Sequence, residues 1–286
     1  MPEQALTLHT ADGHALTATA FEPATPPRAA LLIASAMAVP QSYYVPFARW
    51  LAETQGIAVL TFDYRGIGAS RRGPLAEVDA DVLTWARQDC AAALAAAARR
   101  WPGAPLHWLG HSLGAQIVGL VPGHERLAGM LSVAAGSGYW HHTHPRVRAL
   151  SPWLWWVLVP LALKTFGYFP GGRLRKIGDL PGGVMAQWRR WCLHPDYLGG
   201  ESAAVRAELA AAALPITALA VTDDELMTER GVRALFGLYR GARVEVRRVE
   251  PREHGLAAIG HFGFFRERMR ETLWPMVPRW IEQTAA

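Results

Sequence analysis

The stretch Leu106-His107-Trp108-Leu109-Gly110-His111-Ser112-Leu113-Gly114-Ala115-Gln116-Ile117-Val118-Gly119-Leu120 holds an apolar run, the pattern G-x-S-x-G and a segment able to continue as a helix. Strand, glycine-flanked serine and helix, in that order, are the context in which G-x-S-x-G becomes a nucleophile elbow. The serine must sit on a tight, strained turn that lifts its hydroxyl above a sheet. Side chains at the flanking positions would collide with neighbouring backbone, and glycine has none. Leu113 opens the helix, so its N–H points where a developing oxyanion would lie. The alternative, an ordinary strand-to-helix turn, explains neither glycine.

A serine hydroxyl is a poor nucleophile at neutral pH and needs a base, which in turn needs an orienting carboxylate. In chains built around such an elbow the order is Ser, Asp or Glu, then His. The apolar run 216–221 ends in Thr222-Asp223-Asp224-Glu225. Acids clustered there also suit a solvated turn or a helix cap. Asp224 is preferred as the acid because Asp224-x-x-Met227 has an aspartate three residues before an apolar position; Asp223 is the alternative. For the base, His261 stands between Gly260 and Gly263, a segment expected to lead straight into the final helix. His254, in the charged run Arg252-Glu253-His254, reads as solvent-facing. The second oxyanion donor is expected in the loop 34–40 after the run 29–33, with Met37 first and Ala36 next.

Two other patterns carry less chemistry. Asp63-Tyr64-Arg65-Gly66-Ile67-Gly68-Ala69-Ser70 has two glycines after a strand but no G-K-[ST], so it reads as a structural turn in which Asp63 and Arg65 bond locally. His141-His142-x-His144 lacks a helical H-E-x-x-H setting and a nearby carboxylate, which argues against a metal site.

The 286 residues suit one large α/β domain with an inserted lobe. Half the chain is apolar (51%) and 19% is charged. The net charge of +5 comes from arginine, since only Lys164 and Lys176 are lysines. The arginines are dispersed pairs such as Arg71-Arg72 and Arg99-Arg100, with no nucleic-acid motif, so no polynucleotide partner is expected. Cys90 and Cys192 stand far apart without C-x-x-C spacing, which fits a reduced compartment. Residues 1–26 lack a basic start and an apolar core, so no signal peptide is read and a cytoplasmic location is expected.

Apolar runs at 29–33, 57–62, 106–109, 127–134, 216–221 and 244–249 alternate with helical spacing at 43–54 and 82–100, after an opening hairpin at 6–21. Strands alternating with helices imply βαβ units and a mostly parallel sheet. From 136 to 213 the rhythm breaks. This stretch is rich in Trp (Trp140, Trp153, Trp155, Trp156, Trp188, Trp191), Pro and Gly-Gly pairs, and it lacks a convincing strand. The expected organisation is therefore a core of residues 1–135 and 214–286 with a helical cap of residues 136–213. Its aromatics either pack on the core or form an apolar ceiling over the serine. Within it, residues 152–166 (PWLWWVLVPLALKTF) are too short to span a membrane and hold Pro160 at their centre. A cap helix is expected there, with attachment to a membrane surface the lesser reading.

Together, Asp63-Tyr64-Arg65-Gly66-x-Gly68-x-Ser70, Gly110-His111-Ser112-Leu113-Gly114, the acid turn at Asp224 and Gly260-His261-Phe262-Gly263 resemble the α/β-hydrolase superfamily through nearly the whole chain. More narrowly, residues 36–41, 167–171 and 180–185 resemble bacterial hydrolases related to serine-aminopeptidase-like and monoglyceride-lipase-like enzymes. One departure is the oxyanion loop, which shows Ala34-Ser35-Ala36-Met37 where a His-Gly pair is usual. The resemblance implies an α/β-hydrolase fold and a hydrolase without metal or organic cofactor. The resulting expectation is a Ser112–His261–Asp224 serine hydrolase acting on a small-molecule carboxylic ester, with Leu113 and Met37 as oxyanion donors. Thioester cleavage, acyl transfer and amide hydrolysis use the same residues, and a non-catalytic ligand-binding protein on the same fold is the rival from another class. The oligomeric state is not legible.

Overall fold

The computed structural model describes residues 3–173 and 178–284. Strands β1 (Glu3–His9) and β2 (Ala15–Phe21) pair antiparallel around the Asp12-Gly13 turn, where Gly13 takes a φ of +82°. They flank β3 (Ala29–Ala34), β4 (Ile57–Phe62), β5 (Leu106–His111), β6 (Gly129–Val133), β9 (Ile216–Val221) and β10 (Val244–Val249) in one sheet of order β1-β2-β4-β3-β5-β6-β9-β10. β2 meets β4 antiparallel, and every later neighbour is parallel.

The continuous apolar runs follow from this layout. β3, β4, β5, β6 and β9 are buried from end to end. Alternate residues feed two cores, with Leu32 and Trp108 on one face and Leu31 and Leu109 on the other. β10 closes one edge and carries Glu245, Arg247 and Arg248, charges that discourage further strand pairing. Because these strands are parallel, the loops after β3, β5, β9 and β10 all emerge along one edge.

The long helix 82–100 forms as expected, with a π-helical stretch at Trp85–Cys90. Three local expectations need correction. First, the helix after Ser112 stops early: Leu113–Gln116 is α-helical and Val118–Leu120 is a separate 3-10 turn. The Tyr239 hydroxyl takes the Gln116 carbonyl, 2.6 Å away, which would otherwise accept from Leu120. Second, Arg65 does not bond locally. Its guanidinium reaches Asp89 at 2.7 Å and Asp12 at 2.7 Å, tying the opening hairpin to the helix 82–100. Third, the segment 136–213 contains a small antiparallel ribbon, β7 (Tyr168–Phe169) with β8 (Leu180–Pro181), whose two-residue strands are too short to leave a periodicity.

Among the described residues, the segment 136–213 adds no strand to the main sheet. Its helices are Pro145–Phe166, Gly182–Leu193 and Ala203–Ala211. The first is longer than the sequence suggests, because Pro145, not Pro152, occupies its first turn. Pro160 is accommodated in the turn after a π-helical stretch, Trp153–Leu158. In π-helical register its missing N–H would have served the Trp155 carbonyl, and the Arg189 guanidinium donates there instead. Gln187 seats this segment on the core: its side-chain carbonyl accepts the Val82 N–H at 2.7 Å, and its amide donates to Asp81 at 3.2 Å.

Candidate active site

Ser112 follows β5 at φ 51° and ψ −114°, a strained conformation for a residue with a side chain. The flanking glycines are sterically obligatory. A Cβ on Gly110 would lie 2.4 Å from the Ala115 backbone, and one on Gly114 would lie 2.1 Å from the Ala34 carbonyl oxygen. β5, the turn and the neighbouring β3 are thus packed backbone to backbone, and the Ser112 side chain is directed off the sheet edge.

His261 reaches Ser112 from the loop after β10. Its Nδ1–H donates to Asp224 Oδ2 at 2.8 Å, and its Nε2 accepts from the Ser112 hydroxyl at 3.1 Å. All three residues are buried. Asp224 is held through its other oxygen, which accepts the N–H groups of Leu226 at 2.8 Å and Met227 at 2.9 Å. The Asp224-x-x-Met227 spacing therefore corresponds to a real bond. The exposed Asp223 acts elsewhere. Its two oxygens accept the N–H groups of Ile259 and Gly260, each at 2.9 Å, pinning the loop just before His261. His254 lies in the 3-10 turn Pro251–His254, and neither Ser112 nor Asp224 bonds to it.

In the loop after β3, the Ala36 N–H donates to the Tyr44 hydroxyl at 3.0 Å. That engagement removes Ala36 as a donor to a reacting group. The Met37 N–H has no protein acceptor among the described residues, and Leu113 begins its helix, where first-turn N–H groups are free.

A second buried chain of bonds runs beneath the site and was not legible in the sequence. The Tyr44 hydroxyl donates to His111 Nδ1 at 2.8 Å, and His111 Nε2–H donates to the His261 carbonyl at 2.9 Å. Burial, helped by the nearby His261, pushes the His111 pKa down to about 3, so this ring is neutral and its tautomer is set by its two partners. On the other side, the Tyr197 hydroxyl donates to Gln116 Oε1 at 2.9 Å, and Gln116 Nε2 donates to the Gly136 carbonyl at 2.9 Å. Tyr44 and Tyr197 look like ordinary core aromatics in sequence; the position of His111 beside the serine is the one signal that could have pointed to this chain.

The loop 63–70 is structural: Asp63 accepts from the Gln41 N–H at 2.7 Å and the Ala69 N–H at 2.9 Å. The histidines at 141–144 do not converge. His142 Nδ1 meets the Ser137 hydroxyl at 3.2 Å, and His144 Nδ1 accepts from the Arg146 N–H at 3.3 Å. No group of three His, Cys, Asp or Glu side chains suited to a metal exists among the described residues.

A strained serine at the end of a central parallel strand, facing a histidine from the last loop of the sheet, defines an α/β-hydrolase. Residues 25–171, slightly over half of the chain, match the family model described as "Serine aminopeptidase, S33", and the chain belongs to that family. No curated protein matches the sequence significantly. Among solved structures, a thermostable carboxyl esterase from Bacillus coagulans, in complex with glycerol, aligns at TM-score 0.68 with 14% identity, covering 100% of both chains. A soluble variant of monoglyceride lipase from Saccharomyces cerevisiae, in complex with a substrate analogue, aligns at TM-score 0.68 with 15% identity, covering 99% of this chain and 95% of that one. The esterase domain of a Rhodothermus marinus protein aligns at TM-score 0.58 with 18% identity, covering 98% and 99%. At these identities the likeness is one of fold.

Proposed function

We propose that this protein is a serine hydrolase that cleaves carboxylic esters of small molecules through an acyl-enzyme. The observation that carries the reading is the single imidazole of His261 bridging Ser112 at 3.1 Å and Asp224 at 2.8 Å. Ser112 Oγ attacks the ester carbonyl while its proton passes to His261 Nε2. Asp224 holds the ring in the required tautomer and stabilises the imidazolium. The N–H groups of Leu113 and Met37 receive the oxyanion. His261 then returns its proton to the departing alcohol, and water, activated by the same imidazole, releases the acid. In this reading residues 136–213 form a cap in which Trp188, bonded to Tyr197, and Tyr197, tied to Gln116, make the apolar ceiling of the acyl pocket. A fluorophosphonate probe is expected to label Ser112, and Ser112→Ala to abolish both labelling and turnover of p-nitrophenyl esters. Wild-type protein that neither labels nor turns over any ester contradicts the proposal.

The family match favours one variant of this chemistry, amide cleavage at an amino-acyl group, by the same residues. A panel of esters, thioesters and amino-acyl amides ranked by kcat/KM separates the two, and esters are expected to lead.

A further inference from the structure

Leu150, Trp153, Trp156, Val157, Leu161 and Phe166 are the large hydrophobic residues exposed to solvent among the described residues, and all six belong to the helix Pro145–Phe166. Their exposure is substantial: 66% for Leu150, 60% for Trp153 and 59% for Leu161. The helix is two-sided. Ser151, Trp155, Val159 and Ala162 are buried against the protein, while Leu150, Trp153, Val157 and Leu161, spaced by three and four residues, line the opposite face. With six such side chains about half exposed, and each worth roughly 150–250 Å² when aromatic, the patch reaches several hundred Å², the upper end of what monomers leave uncovered.

Charge decides what covers it. The same stripe continues to Arg146 at one end and Lys164 at the other. Between Glu125 and Asp179 the sequence contains no acidic residue at all. Arg146, Arg148 and Lys164 have no carboxylate partner among the described residues. A second copy of this chain would set these cations against one another. An anionic surface would pair with them, while tryptophans and leucines enter the boundary below the headgroups. Although the helix has the length and composition of a span, its inner face is packed on the protein, so it lies along a surface. We propose that the outer face of helix Pro145–Phe166 docks the protein onto anionic phospholipid bilayers.

The docking is independent of the triad and is read by binding alone. In flotation with phosphatidylcholine vesicles, with and without phosphatidylglycerol, the protein is expected to float only with the anionic ones, and less as salt rises. The double variant Trp153→Glu, Leu161→Glu changes only solvent-facing positions, which near-UV circular dichroism checks. It should lower the partition coefficient by about tenfold or more. Arg146→Gln and Lys164→Gln should each weaken binding about fivefold. Ser112→Ala should bind as the wild type does, so loss of esterase activity and loss of docking are separate results. Absence of flotation, equal flotation with pure phosphatidylcholine, or a solution dimer dissociated by the double variant would each overturn the proposal, the last by assigning the face to a second copy.

Discussion

His111 Nε2 donates to the backbone carbonyl of His261 at 2.9 Å, so the residue preceding the serine in sequence holds the backbone of the histidine that faces it. Through Tyr44 the same ring is tied to the Ala36 N–H in the loop after β3. His111 is therefore a positioning residue linking the proposed base to the proposed oxyanion loop. His111→Phe leaves the Tyr44 O–H without its acceptor and the His261 carbonyl without its donor in a buried site. It is expected to cost about 2–4 kcal/mol in denaturant unfolding. Steady-state kinetics should show kcat lowered about ten- to hundredfold, with KM nearly unchanged.

The same residue gives a pH signature. His111 stays neutral in the folded protein down to about pH 3, whereas the unfolded chain takes up a proton below about 6.5. The stability it contributes is full above pH 6.5 and is lost as pH falls toward 3. The slope from this one proton is at most about 1.4 kcal/mol per pH unit. His107, also lowered by burial, adds to it. Asp89 works in the opposite sense: burial raises its pKa to about 6, so its contribution is present in acid and is lost as pH rises through that value. Unfolding free energies from pH 4 to 7 should therefore rise less steeply in His111→Phe than in the wild type.

The two adjacent aspartates should separate cleanly. Asp224→Asn is expected to reduce kcat by about ten-thousandfold, since the amide favours the wrong imidazole tautomer. Asp223→Ala removes the acceptor for Ile259 and Gly260 and should cost about 1–3 kcal/mol in stability, with only about a tenfold loss of kcat. Equal kinetic effects would show that the loop, not the carboxylate, limits the reaction.

Backbone strain at Ser112 should be measurable as stability. Ser112→Gly relieves the φ of 51° and is expected to raise the unfolding free energy by about 1–2 kcal/mol while abolishing turnover. Calorimetry of Ser112→Gly beside Ser112→Ala isolates the backbone effect, because alanine keeps the strain.

What was legible in the sequence had local causes. The buried strands announce themselves as continuous apolar runs because both faces of the sheet are covered. Gly110 and Gly114 are readable because no other residue fits against Ala115 and Ala34. The Ser112–Asp224–His261 set was expected from motif and chain order, and the structure brings those three side chains together. What escaped was set by distant partners. Arg65 finds Asp89 and Asp12 only once the hairpin is folded onto the helix. Gln116 ends its helix because Tyr239 takes a carbonyl from 123 residues away. The length of helix Pro145–Phe166 was hidden by two internal prolines, Pro152 and Pro160, and tolerance of the second depends on a π-helical stretch and on Arg189 from another helix.

Gln116 sits four residues past Ser112, with its side chain clasped by Tyr197 and its carbonyl by Tyr239. Any repacking of the tryptophan-bearing lobe that moves Tyr197 pulls on the short helix carrying the serine. On the proposed esterase reading substrate preference and turnover are in this way mechanically joined, and a laboratory selection that reshapes this lobe for a bulkier acyl group is expected to regain speed only once the grip on Gln116 is restored.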